Sequence, residues 1–229
     1  MARTGRRTPP VSRICRKRSG VKKRVDLPQT PLDALIDDIR ACRLCRDEPN
    51  GAPLPHEPRP VLQASAKARL AIFGQAPGLR VHESGKPFTD PSGDRLRDWL
   101  GVGPDIFYDP LKVAIIPMGF CFPGYDKKGS DLPPRKECAA QWREALMAAS
   151  PQFETMVLVG GYAQSWHLKK RAQKSVTATV ERWRDFAPLY FPTPHPSWRN
   201  NGWIKARPWF EAELVPALRA AVKKALRLP

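Results

Sequence analysis

Four short apolar runs, each followed by a turn rich in Gly or Pro, constrain this chain more than any other feature. They are residues 68–73 (ARLAIF), 113–116 (VAII), 155–159 (TMVLV) and 189–192 (LYFP). Their length and β-branched or aromatic content read as strands. Helical spacing fills the intervals. Thr30-Pro31-Leu32-Asp33 is a helix start, and Leu32, Leu35, Ile36 and Ile39 then recur on one face. Residues 94–100 put Leu96, Trp99 and Leu100 together, residues 137–149 form another helix, and residues 208–226 carry the stripe Phe210, Leu214, Leu218 and Val222. Residues 46–60, dense in Pro and Gly, are loop. Alternation of this kind predicts a doubly wound three-layer α/β/α domain around a four-stranded, mainly parallel sheet. There is no internal repeat and no sign of a second domain, so residues 30–229 are expected to form a single unit.

In such sheets ligands bind beyond the carboxyl ends of the strands. Gly74-Gln75-Ala76-Pro77-Gly78, the loop holding Cys121, Gly160-Gly161 and Pro194-His195-Pro196-Ser197 each follow a strand. They are expected to gather at one edge of the sheet and to build one active site there.

The formal charge of +17 favours a polyanionic partner, nucleic acid first. Ten of the basic residues, from Arg3 to Arg24, precede the first acid, Asp26. Residues 1–29 therefore read as a basic disordered arm, with auxiliary DNA binding or a merely solvated tail as its two meanings. Without those ten charges the balance is still about +7, so the bias extends into the body. No run of about 18 apolar residues is present and the N-terminus has no apolar signal region, which implies a cytoplasmic protein without a membrane span. A monomer is the expectation for this size and class.

Two motifs resemble those of the uracil-DNA glycosylase superfamily. Gly74-Gln75-Ala76-Pro77-Gly78 is similar to its water-activating motif and is followed by Gly85-Lys86-Pro87-Phe88 and Ser92-Gly93. Pro194-His195-Pro196-Ser197 is similar to its second motif, and HPSWRNNGW stands where the family has its DNA-intercalating loop. The resemblance runs from about Leu32 to Leu226. It is strongest to the bacterial and archaeal iron–sulfur branches, in which a close pair of cysteines near the N-terminus joins a second pair mid-chain. Here Cys42 and Cys45 supply the first pair, Cys121 and Cys138 the second. Spacing alone leaves a [4Fe–4S] cluster, a zinc ion and four unrelated buried thiols open; the resemblance favours the cluster, in a structural role. Cys15, within the arm, reads as a free thiol.

The resemblance implies a monofunctional glycosylase that hydrolyses the N-glycosidic bond of flipped-out uracil in DNA and leaves an abasic site. Excision of a base requires extrusion from the stack, stabilisation of charge growing on the leaving ring, and a water placed against the sugar. His195, neutral and donating to the uracil O2 edge, is the candidate for charge stabilisation. Gly74, Gln75 and Ala76 supply backbone groups, Phe88 stacks on the base, and Gly119 ends the second strand where relatives read the base. The family's carboxylates at the positions of Gln75 and Ala76 are missing. Asp90, in Pro87-Phe88-Thr89-Asp90, is the candidate that positions water, with a helix cap as its ordinary alternative and the Gln75 side-chain carbonyl as a substitute. An Asn common in relatives after the second strand is replaced by Pro117-Met118, which leaves hypoxanthine and xanthine open as substrates. No Lys lies in either motif, which argues against a Schiff base. Ser197, Arg199 and Asn200 are candidates for DNA contact. Trp198 is either a wedge in the stack or an anchor for its loop. His56 and His167 read as ordinary surface or core residues, and His82 keeps a minor claim on the site. Two rivals differ in class. One is a binder that retains uracil or abasic DNA without cutting, favoured by the missing acids. The other is a zinc-stabilised nucleic-acid-binding module.

Overall fold

The computed structural model describes residues 30–229, and the basic arm and Cys15 lie outside them. Four strands, β1 (Leu70–Phe73), β2 (Val113–Ile115), β3 (Thr155–Val159) and β4 (Tyr190–Thr193), form one sheet of order β2-β1-β3-β4. Every pairing is parallel, with Leu70 opposite Val113 and Thr155, and Met156 opposite Tyr190. The expected strands are found within a residue or two of their apolar runs. The sheet is wholly rather than mainly parallel.

Side chains alternate across β1 because the strand period is two. Leu70 and Ile72 enter one core with α4 (Pro91–Leu100) and α10 (Val215–Leu226), through Leu96, Trp99, Leu218 and Val222. Ala71 and Phe73 enter the other with α1 (Pro31–Ala41), α6 (Lys136–Ala149) and α7 (Gly161–Leu168), through Ile36, Ile39, Leu146 and Ala163. Both faces are therefore covered, as the apolar runs required. The free edge of β2 is closed by Gln63, whose backbone exchanges two hydrogen bonds with Ile115 and whose side-chain amide donates to the carbonyls of Phe107 and Val113.

Local chemistry sets the helix ends. Thr30 and Asp33 form a reciprocal capping box at α1. Pro91 starts α4 three residues before the expected start, and Gly101 ends it in the left-handed region. The last helix is not uniform. A π-turn over Phe210–Leu214 precedes α10, since Pro216 has no N–H for the carbonyl of Ala212. The short helices α2 (Leu44–Asp47), α3 (Leu79–Ser84), α5 (Pro104–Phe107), α8 (Val176–Glu181) and α9 (Asn201–Lys205) carry too little periodicity to be read from sequence. No described helix is long and apolar enough to cross a membrane.

Two polar groups stand out beneath the sheet, the Arg143 side chain and the Nε2 of half-buried His167. Arg143 of α6 is fully buried; its guanidinium donates to the carbonyls of Ile116 and Pro117, contacts the Met118 sulfur and lies over the rings of Phe73 and Trp166. It ties α6 to the chain leaving β2. His167 packs 3.9 Å from the Phe73 ring with its Nε2 buried and unpaired. Burial, reinforced by Arg143, pushes its pKa down to about 3. The folded state thus holds the ring neutral while the unfolded chain takes up a proton near pH 6.5. Stability from this residue is complete above pH 6.5 and drains away as pH falls towards 3, by roughly 5 kcal/mol at the limit. His167→Phe is expected to raise the midpoint of urea unfolding at pH 4 far more than at pH 8.

Candidate active site

β1 runs straight into the first motif, and its ladder with β2 continues past the strands. Ile116, Met118 and Gly119 N–H groups donate to Ile72, Gly74 and Gln75 carbonyls, each at 2.9 Å. The motif is thereby fixed against the loop after β2. On one side of this junction lies a cavity of about 590 Å³, including its open mouth, lined by Gly74, Gln75, Ala76, Phe88, Asp90 and His195 among others. Its floor is apolar, with Val61, Val81, Ile115 and Pro117.

Phe88 is held over Gly74: a Cβ on that glycine would stand 3.6 Å from the ring's Cζ. The Phe88 backbone has φ of 52°, a left-handed conformation that costs a non-glycine residue energy. Tyr108 Oη donates to its carbonyl at 2.9 Å and Arg97 at 3.4 Å. Gly93 lets helix α4 approach: a Cβ there would fall 1.9 Å from the same carbonyl oxygen. Asp90 occupies the N-cap position of α4, yet its side chain makes no capping bond. Instead it faces the cavity and accepts from buried Ser92 Oγ at 2.7 Å.

His195 follows β4. The Ser197 N–H donates to its Nδ1 at 3.2 Å, so Nδ1 is an acceptor and the ring proton of the neutral form belongs on Nε2. Burial lowers its pKa, opposed by the charges of Asp90 and Asp131. The loop is braced by Asn200, whose amide donates to the His195 carbonyl at 2.7 Å, and by Arg95, which donates to the Ser197 carbonyl at 3.1 Å.

A groove of about 1460 Å³ opens from the cavity mouth, lined by Arg80, Arg95, Ser197, Trp198 and Arg199 together with Asp90, Asp131 and His195. Trp198 is 74% exposed, with the Arg199 guanidinium 5.9 Å from its ring centre. Trp203 does the anchoring, bonding Thr177 and packing on Trp209 and Phe210. Arg199 and Ser197 also face the groove, whereas the Asn200 side chain is used within its own loop.

The four cysteines line a second cavity on the far side of the junction, about 400 Å³, with Gly119, Arg135 and Trp142. All four are free thiols. The Phe120 N–H donates to Cys138 Sγ at 3.4 Å, and the Trp142 indole to Cys42 Sγ at 3.3 Å. Burial pushes the Cys121 and Cys138 thiols up to about 12. Among the described residues no three His, Cys, Asp or Glu side chains are drawn together closely enough to grip one metal ion. The convergence of thiols and of N–H groups aimed at sulfur nevertheless suits a larger sulfur-ligated group.

A match to the family model described as "Uracil DNA glycosylase superfamily" spans residues 62–219, which take in both motifs, Phe88, Asp90 and the loop after His195. The chain belongs to the uracil DNA glycosylase superfamily. Membership implies glycosylase-type action on uracil or damaged bases in DNA. The matched segment starts after Cys42 and Cys45, so it does not assign the chain to a branch of the superfamily.

The structure gathers Gly74, Gln75, Ala76, Phe88, Asp90 and His195, but not Gly119, which turns to the cysteine cavity and spends its N–H on Gln75. Gly160-Gly161 opens α7 and lines neither cavity. The expected single gathering of four loops is thus two cavities back to back. The His82 ring lies tilted against His56, 4.1 Å between centroids, and does not line the cavity of Gly74 and His195. Sequence reasoning missed Asp131, Arg95 and Tyr125, and quoted Ser92 in a motif without giving it a role. Asp131 had one visible signal, a Gly-Ser-Asp loop after the second strand. Partial burial raises its pKa, against the pull of Arg199 and His195.

Gly93→Ala is expected to lower the melting temperature by several degrees and to displace Phe88, because no neighbour can yield a backbone carbonyl. The loss is testable by calorimetry.

Proposed function

We propose that this chain is a monofunctional uracil-DNA glycosylase. The observation that carries the reading is the His195 ring, whose Nδ1 accepts from Ser197 and whose Nε2–H is left for a ligand in the cavity shared with Phe88 and Asp90. A flipped uracil stacks on Phe88, an aromatic platform fixed by its strained backbone. Nε2–H donates to O2 of the ring. As the bond from C1′ to N1 breaks, its electron pair passes to the base, and a donor aimed at the developing oxyanion is worth roughly 10²–10³ in rate. Asp90, oriented by Ser92, takes the proton of a water whose oxygen bonds to C1′. The base anion takes up a proton, Asp90 gives its own to solvent, and the products are free base and an abasic site.

Base choice rests on backbone groups around Gln75 and Ala76 and on the cavity shape, since Pro117 replaces a side chain that could read the ring edge. Hypoxanthine and xanthine are therefore tested beside uracil. The alternative, a binder that holds uracil or abasic DNA, is favoured by one observation: neither Gln75 nor Ala76 supplies an acid.

We further propose that Cys42, Cys45, Cys121 and Cys138 hold a [4Fe–4S] cluster rather than zinc. The group, when bound, supplies a crosslink and no chemistry at the base. It would join the end of α1, helix α2, the loop after β2 and the start of α6. Absorbance near ~400 nm with iron in the purified protein is the expected result, and Cys138→Ser is expected to lose both. Zinc without iron would overturn it.

The enzymatic reading is tested by alkali cleavage of labelled uracil oligonucleotides. Wild type is expected to leave abasic sites, His195→Ala to be slower by about 10²–10³-fold, and Asp90→Asn to be slowed with little change in binding. On the acid side activity is expected to fall at a pH below that of an ordinary imidazole, because burial favours the neutral His195 ring. A uracil-dependent gel shift without cleavage would establish the binder.

A further inference from the structure

Resting on the glycosylase reading, we infer that the groove is built for single-stranded DNA, with Tyr125 as a second stacking platform beside Trp198. The two rings reach the same groove from different loops. Tyr125 is 50% exposed, and its ring packs T-shaped with Phe122 at 5.0 Å between centroids. Its loop is stiff. Tyr125 pairs with Asp131 across a small antiparallel bridge, Leu132 N–H donates to the Gly124 carbonyl, and Asp126 Oδ1 accepts from the N–H groups of Lys128 and Ser130. A ring so held loses little freedom when a base stacks on it.

The groove also carries Arg80, Arg95 and Arg199 against Asp90 and Asp131, and Lys127 and Lys128 are exposed on the Tyr125 loop. Cations flanking aromatic faces are the means by which proteins bind a single strand with little regard to sequence. Base pairing decides between strand forms. When one nucleotide leaves a duplex it opens one vacancy, and one wedge fills it. Trp198 serves that purpose in either substrate. A second ring in the same groove finds a free base face only where a neighbouring base is unpaired and unstacked. Tyr125 thus has a role in single-stranded or locally opened DNA and none in an intact duplex.

The test is fluorescence anisotropy of the full chain with a labelled oligonucleotide carrying one tetrahydrofuran abasic analogue, single-stranded or annealed, at fixed salt. Wild type is expected to bind the single strand more tightly. Tyr125→Ala is expected to weaken single-strand binding roughly tenfold and leave duplex binding within about twofold, while Tyr125→Phe retains both. Trp198→Ala is expected to weaken both forms. Tighter binding of the duplex by wild type would overturn the inference, as would equal losses from both forms in Tyr125→Ala. Because binding needs no catalysis, absence of base excision with this pattern intact would count against the enzyme reading alone.

Discussion

The ladder between β1 and β2 does not stop where the strands stop, and both cavities depend on that. Two further hydrogen bonds, from Met118 to Gly74 and from Gly119 to Gln75, clamp the first motif to the chain leaving the second strand. Each backbone group so used is satisfied inside the protein, and the motif cannot drift. The junction has two sides. One presents Gly74, Gln75 and Pro117 to the base cavity, and the other presents Gly119, Phe120 and Cys121 to the cysteines. Arg143 braces it from below through the carbonyls of Ile116 and Pro117. A crosslink at the cysteines would therefore stiffen the wall of the base cavity from behind, without touching a ligand in it.

Around that junction the site is assembled from opposed forces. Phe88 holds an unfavourable backbone conformation because Tyr108, Arg97 and the bare α-carbon of Gly93 make room for its carbonyl and bond it. His195 is pulled two ways, since burial favours the neutral ring and two carboxylates favour the charged one. Burial wins, and the Ser197 N–H then selects which nitrogen carries the proton. Asp90 stands where a helix cap belongs but bonds Ser92 instead, which keeps its carboxylate at the cavity.

Much of this was legible before any coordinates. Four apolar runs specified the parallel sheet because strands buried on both faces have few other residues available to them. The motifs after β1 and β4 pointed to one edge because parallel strands all end there. What stayed hidden depended on contacts distant in sequence. Nothing in the residues near Gly119 tells that its N–H is taken by Gln75, 44 positions earlier. Asp131 and Tyr125 reach the groove only because a short irregular loop folds back on itself, and such loops carry no periodicity. The short helices escaped for the same reason. The cysteine spacing suggested a shared site, and all four thiols line one cavity; which group, if held there, is a matter of electrons rather than spacing.

The claim on which the rest turns is that His195 is a neutral Nε2–H donor at physiological pH. Nitrogen-15 chemical shifts of the histidine rings, followed from pH 8 to pH 5 and assigned with His195→Gln, test it directly. The expected result is a His195 ring with an unprotonated Nδ1 and a protonated Nε2 that takes up its second proton only at a pH below that of an ordinary imidazole. An imidazolium at pH 7, or a proton on Nδ1, would contradict the account, because the Ser197 N–H could then no longer donate to that atom.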